Sequence, residues 1–299
     1  MTGESSRPAA RSGIVLMLAG VFLFSCNDAL GKYLLATYSV GQMLFIRSVA
    51  AMLLLSPLIW RAGVAPFRAA PRPGLQILRV TFSTLEVVMF FIAVSYLPLA
   101  DTVTFYLAAP IFVTALSALF LGEQVGWRRW SAVLIGFAGV IITLRPSAAT
   151  LTWPALIALT GSFFFSLLMI ATRTLRGTAD VVLTGGQIAG TLLFAAAAAP
   201  FGWIAPSWPD FCGLALLGVV AMIALFCVNR SLKLAPASVV VPYQYTLIVW
   251  AILFGYLVFG DVPDLPMLVG SLIIVAAGLY IFWREQAKAQ RDPAFAPPP

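Results

Sequence analysis

Four ionisable residues stand inside long apolar runs: Asp28, Lys32, Arg47 and Glu86. A charge at membrane depth is costly, so by default it is a functional hypothesis. In the stretch 13–35, Ser25, Asp28 and Lys32 fall at spacings of 3 and 4, on one helical face, with Asn27 beside them. Residues of these types can pair with one another, grip a polar solute, or take up and release a proton in a dry place. They do not make an enzyme. The chain has no histidine, and its three cysteines, Cys26, Cys212 and Cys227, lie scattered in apolar segments. No nucleophile stands with a base, and no spacing suits a metal. Gly31-Lys32 is followed by Tyr33, so there is no nucleotide-binding G-x-x-x-x-G-K-[ST] loop. The expectation is a protein without catalysis, cofactor, metal or nucleotide motor.

Depth follows from the helical rise of about 1.5 Å per residue. Asp28, Arg47 and Glu86 then lie roughly 10, 12 and 15 Å from the same-side ends of their helices. Comparable depth predicts pairing: Arg47 with Glu86 or Asp28, and Lys32 with Asp28. Two readings stay open. One is a carboxylate whose protonation or ligand contact is coupled to opening and closing. The other is a static ion network that fastens helices together.

Further residues extend the candidate pathway. Gln42 precedes Arg47 in the second segment, and Gln187 mirrors it 145 residues on. Pro242-Tyr243-Gln244-Tyr245 interrupts one apolar run, and Tyr106, followed by Pro110, marks another break. Aromatic rings beside hydrogen-bonding groups suit a flat or amphipathic organic solute. Other polar residues have plainer expected roles. Arg79 reads as an interfacial anchor. Gly185 and Gly186 allow close helix approach. Glu123, Asp261 and Asp264 read as caps.

These residues need a bilayer to be deep in. The chain of 299 residues is 61% apolar and 10% charged, with mean hydropathy +0.99. Soluble domains are about one quarter charged, so this is an all-α integral membrane protein. Ten segments are long and apolar enough to cross: 13–35, 39–60, 74–96, 101–121, 128–145, 152–172, 180–200, 210–232, 238–259 and 264–283. The runs are continuous rather than alternating, which excludes a barrel. Nine further segments follow the first, so it is kept as a helix rather than read as a cleaved signal.

With the N-terminus inside, 14 Lys and Arg fall on the cytoplasmic side. Only Lys32 and Arg145 fall outside. That asymmetry places both termini in the cytoplasm. The net charge of +7 sits in short loops, so it is no nucleic-acid signal. The expected partners are a small-molecule solute, the lipid bilayer and protons as a coupling ion; the oligomeric state is left open.

The sequence also repeats. Residues 19–25 match 160–166 at an offset of 141, where Lys32 meets Arg173. Tyr96–Ala100 matches Ser231–Ala235 at 135, Gly122-Glu123 matches Gly260-Asp261 at 138, and Gly139 matches Gly278 at 139. Five crossings per unit is an odd number, so the units insert in opposite directions. The reading is ten transmembrane helices as two inverted five-helix repeats. Residues 1–12 form a cytoplasmic tail, 13–145 the first repeat, 152–283 the second, and 284–299 a disordered cytoplasmic tail. Such repeats place substrate near the midplane, between them.

Two such units, each ending in a Gly-acid turn and a Gly-containing last helix, resemble the EamA family of the drug/metabolite transporter superfamily. The resemblance covers about residues 13–283. It implies a secondary transporter of small organic solutes in a bacterial inner membrane. Asn27 to Lys32, with Gln42 and Arg47, is similar to a branch that includes riboflavin and S-adenosylmethionine importers. The resemblance therefore leans toward uptake of a vitamin- or nucleoside-like solute. Relatives elsewhere in that family export amino acids, which is the alternative. Alternating access by rocking of the two repeats is the expected mechanism.

Overall fold

A computed structural model describes residues 6–120, 127–144, 152–175, 177–234 and 241–289. Gly122-Glu123, Arg145, Ala235 and the last ten residues, which figure in the sequence reading, lie outside that set. All regular structure among the described residues is helical. The elements are α1 (Ser6–Leu34), α2 (Val40–Ala62), the single turn α3 (Ala65–Arg68), α4 (Pro73–Tyr96), α5 (Leu99–Tyr106), α6 (Ala109–Phe120) and α7 (Trp127–Leu144). Then come α8 (Trp153–Thr174), α9 (Asp180–Ala198), α10 (Trp208–Leu234), a 3₁₀ turn (Val241–Tyr245), α11 (Thr246–Phe254), a π turn (Gly255–Phe259) and α12 (Leu265–Ala289).

Local chemistry sets several of these boundaries. Ser39 caps α2 by accepting from the Gln42 N–H. Pro73 opens α4, where its missing N–H leaves no helix bond unmade. Gly260 ends the π turn at φ 69°, a left-handed conformation that suits glycine. Helix α1 begins at Ser6 and α12 runs on to Ala289, so each extends beyond the apolar segment read from the sequence.

Among the described residues, six helices are long and apolar enough to cross a membrane, and the protein is a multi-pass membrane protein. The remaining apolar helices among the described residues are shorter, at 99–113, 130–143, 243–259 and 265–280. All four correspond to segments read from the sequence as crossings, and two of them are interrupted where Pro110 and Pro242 mark breaks in the sequence. One breaks at Leu107-Ala108 between α5 and α6; the other begins as the 3₁₀ turn around Pro242. The outer surface is apolar: Trp60 is 86% exposed, Leu193 74% and Leu272 69%. So much exposed hydrocarbon is stable only under lipid.

Inside the bundle, α1 packs along α10, and α4 along α8. α2 lies on α9 and α10, and α9 also meets α4. α7 packs along α12, and α5 on α11. Glycines set the closest crossings. A Cβ at Gly218 of α10 would fall on the Arg47 carbonyl of α2. At Gly190 of α9 it would meet Val80 and Thr84 of α4. Gly186 of α9 also faces Val80, and Gly185 faces Leu55 and Ile59, as expected of that glycine pair. Gly218→Leu is therefore expected to force α10 off α2 and destabilise the protein by roughly 1–3 kcal/mol. Thermal unfolding in detergent checks this; an unchanged midpoint counts against so tight a crossing.

Candidate functional site

Three charged residues on three helices come together. Asp28 of α1 and Glu86 of α4 both act electrostatically on Arg47 of α2, and on each other. Among the described residues, neither carboxylate lies within the 4.0 Å of an ion pair with Arg47. The guanidinium instead lies over the Phe91 ring, 5.2 Å from its centroid. Its Nη1 is buried with no hydrogen-bond partner. Ser83 and Thr84 of α4 and Ser162 of α8 likewise bury hydroxyls without partners. Tyr106 joins this group at the α5–α6 break. Its hydroxyl donates to the Glu86 backbone carbonyl at 3.0 Å, and its ring meets Phe90 edge-on at 5.1 Å. Gly161 of α8 leaves room for that hydroxyl.

Lys32 stands apart from this group. Its Nζ donates to Asp261 Oδ2 at 2.8 Å and to the Leu97 carbonyl at 3.2 Å. It also lies 4.6 Å from the Phe259 ring centroid. The expected Lys32–Asp28 pair is thus replaced by one to Asp261. The reason is reach. Lys32 sits in the last turn of α1, and its long stem extends to the Gly260-Asp261 turn. Asp261, expected as a cap, is that partner. Asp264 does cap, accepting from the Met267 N–H at 3.0 Å.

The other candidates separate similarly. Ser25 donates to its own helix, at Val21 O. Asn27 is buried and donates to the Leu217 carbonyl of α10 at 2.7 Å, beside the Gly218 crossing. Gln42 is fully buried and bonds both ways with the Ile204 backbone: Nε2 to Ile204 O at 2.6 Å, and Ile204 N to Oε1 at 3.0 Å. Gln187 is half-buried on α9, and Gln244 is half-buried in the 3₁₀ turn. Tyr243 packs beside Met17 and Val21 of α1. Tyr245 is buried, with its hydroxyl unpartnered and set against Gly278 of α12. Tyr106 and Tyr245 are 139 residues apart, and each stands at a helix break.

Arg79 departs from its expected role as an interfacial anchor. It is buried and donates to Thr172 Oγ1 at 2.8 Å and Leu183 O at 3.0 Å, tying α4 to α8 and α9. The sequence reading did not single out Phe91, Leu97 or Gly218. A phenylalanine under an arginine and a glycine under a carbonyl have no signature in one sequence.

The Gln42 contact belongs to a belt at the end of the bundle that holds Lys32. There Tyr38 donates to Asp210 Oδ2 at 2.8 Å, and Ser207 also donates to that oxygen, at 2.7 Å. The Asp210 carboxylate that accepts its hydrogen bond holds the Tyr38 phenol above its ordinary range. Gln42→Leu is expected to strip both bonds to Ile204 and lower stability by roughly 1–3 kcal/mol. Gln42→Glu keeps the acceptor but sets a buried carboxylate oxygen against the Ile204 carbonyl, so it is expected to lower stability at least as much. Equal melting temperatures for all three proteins overturn that assignment. Toward the opposite end, a cleft of about 340 Å³ opens between α2, α9 and α10, lined by Leu55, Thr184, Leu225 and Arg230 among others.

The profile of the EamA-like transporter family matches residues 11–145 and again 152–283. An S-adenosylmethionine uptake transporter of Rickettsia bellii is 26% identical, over 92% of this chain and 94% of its own. A pseudopaline exporter of Pseudomonas aeruginosa is 30% identical, over 89% and 94%. A riboflavin transporter of Rhizobium johnstonii is 26% identical, over 97% and 96%. One crystal structure matches with a TM-score of 0.59 at 17% identity, over 94% of this chain and 99% of that one.

Proposed function

This chain belongs to the EamA-like transporter family of the DMT superfamily, and we propose that it is a secondary transporter working by alternating access between two inverted five-helix repeats. The observation that carries the proposal is the buried, unpartnered Arg47 Nη1, in electrostatic range of Asp28 and Glu86, at a junction of α1, α2 and α4. Such a site has a donor free to hold a solute.

Ten crossings are reached by counting α1, α2, α4, α5 with α6, and α7 as the first repeat. The second is then α8, α9, α10, the broken α11 region and α12. The packing supports that pairing. Exchanging the repeats turns the α1–α10 contact into α8–α4, and α2–α10 into α9–α4, and both members of each exchange occur. The crossing of Gly218 on Arg47 is mirrored by that of Gly190 on Thr84, with mates 143 and 134 residues apart. Tyr106 and Tyr245 stand at matching breaks, which in inverted-repeat transporters point to the substrate site.

The termini are cytoplasmic in this reading, in a bacterial inner membrane, by the Lys and Arg asymmetry. That orientation puts Lys32–Asp261 at the outer end and the α2–α9–α10 cleft toward the cytoplasmic one. The solute is a small organic metabolite. The names of the S-adenosylmethionine and riboflavin relatives favour uptake of a nucleoside- or vitamin-like compound. The pseudopaline exporter, the most identical of the three, favours export as the second reading. Protons are the proposed coupling ion, acting on Asp28 or Glu86.

Reconstitution in liposomes tests this. Saturable flux of one labelled metabolite, faster with an imposed proton gradient, is the expected result. Flux that never saturates points to a channel instead. Absence of flux for every metabolite overturns the reading.

A further inference from the structure

Arg47 carries a guanidinium that its own protein leaves incomplete. Phe91 covers one face, and Nη1 is buried without a partner. A buried guanidinium is ordinarily held by two parallel hydrogen bonds to an anion. Here Asp28 and Glu86 are in electrostatic range, but neither makes the ion pair. One helical turn before Glu86, Ser83 buries a hydroxyl that is also unpartnered. The rings of Phe90, Phe91 and Tyr106 stand against one another beside these groups. So the junction of α1, α2, α4 and α5 holds an open donor fork, two carboxyl groups in electrostatic range of it and a set of aromatic rings.

We infer that this site binds a zwitterion, with the solute's carboxylate on the open fork of Arg47 and its cationic nitrogen or sulfonium against Asp28 and Glu86. The inference rests on the transport reading above and narrows its substrate class. An uncharged ring solute leaves the guanidinium without an anion and the carboxyl groups without a cation. Buried groups left so are costly, and that cost is the discrimination. A dicarboxylate satisfies Arg47 but sets its second charge against Asp28 or Glu86. Selection is by layout of charge, with the rings adding contact area. Among the solutes named for the relatives, S-adenosylmethionine has this layout and riboflavin lacks it.

The test is thermal unfolding of the purified chain in detergent. The probes are the protein amino acids, S-adenosylmethionine and riboflavin. At least one zwitterion is expected to raise the melting temperature. Its methyl ester and its N-acetyl derivative are expected to bind roughly 100-fold more weakly. In Arg47→Gln the gap between zwitterion and ester closes, which a merely structural arginine does not produce. Should that variant fail to fold, the comparison on the unmodified protein still decides, and Arg47→Lys should show a reduced gap. Ester and acetyl forms that bind as tightly as the parent overturn the inference. So does stabilisation by riboflavin with every zwitterion silent; saturable riboflavin flux then leaves the transporter standing. Zwitterion binding without flux in liposomes supports the site and overturns transport.

Discussion

Reversing the charge at Lys32 is expected to reduce transport to below a tenth of the unmodified rate, and reversing Asp261 with it to restore most of the loss. The pair joins the last turn of α1 to the turn between the π segment and α12. The same ammonium holds the Leu97 carbonyl at the α4–α5 connection. The end of α1 and two connections thus close on a single cation. As a stabilising contact the pair is minor. Its side chains are 16% and 29% exposed, and a part-exposed pair is worth about 1 kcal/mol or less. Its leverage is on the cycle. A contact present only in the state closed at that end shifts the balance of states by its whole differential energy. Lys32→Asp converts the contact to repulsion against Asp261 and the Leu97 carbonyl, so that end no longer closes. Asp261→Lys alone should do the same, by setting two ammonium groups together. The double exchange restores attraction, and initial rates in liposomes should recover to at least half. Melting temperatures should move little throughout. Full transport in both single variants removes the contact from the cycle. A double variant as inactive as the singles makes each residue matter for some reason other than their pairing.

What one sequence could show was depth along a helix, and what it could not show was neighbours across the bundle. A fixed rise per residue puts Asp28, Arg47 and Glu86 at one level and predicts that Arg47 pairs with Asp28 or Glu86; Arg47 feels both carboxyl groups but forms an ion pair with neither. Lys32 obeyed the same arithmetic, yet its partner is 229 residues away in a turn. A flexible four-carbon stem near a helix end has several acids within reach, and periodicity does not choose among them. Gln42 shows the same limit. Its partner is the backbone of Ile204 in a connecting segment, where side-chain pattern carries no information. The breaks at Tyr106 and before Tyr245 were legible because proline disrupts a helix wherever it falls. That the two broken segments are short was not, since hydropathy reads an apolar 3₁₀ turn and an apolar helix alike. Arg79 misled for a related reason. An arginine near a helix end reads as an anchor reaching for water, unless a Thr172 hydroxyl and a Leu183 carbonyl happen to face it.

Asp28→Asn and Glu86→Gln are each expected to lower transport at least tenfold while the protein still inserts and melts near its ordinary temperature. The argument is one of charge count. A single guanidinium serves two carboxyl groups, with no direct ion pair to either. Neutralising one carboxyl leaves a one-to-one balance, so the fold has little to lose. The solute loses one of the groups that hold its cation, or the coupling proton loses its seat. Arg47→Gln does the opposite. It leaves two half-buried carboxyl groups with no cation to balance them, which costs more than neutralising either one. Stability and transport should then fall together. A static network that fastens α1, α2 and α4 behaves differently. Each of its members is a fastener, so Asp28→Asn and Glu86→Gln should lower the melting temperature about as much as Arg47→Gln does. The double variant Asp28→Asn/Glu86→Gln sharpens the contrast, because it strands Arg47 alone. If transport needs these groups and the fold needs only their balance, that protein is unstable while both single variants are sound. A pair of single variants that melt early but transport at the ordinary rate per folded molecule makes the three residues a brace and moves the solute's path elsewhere.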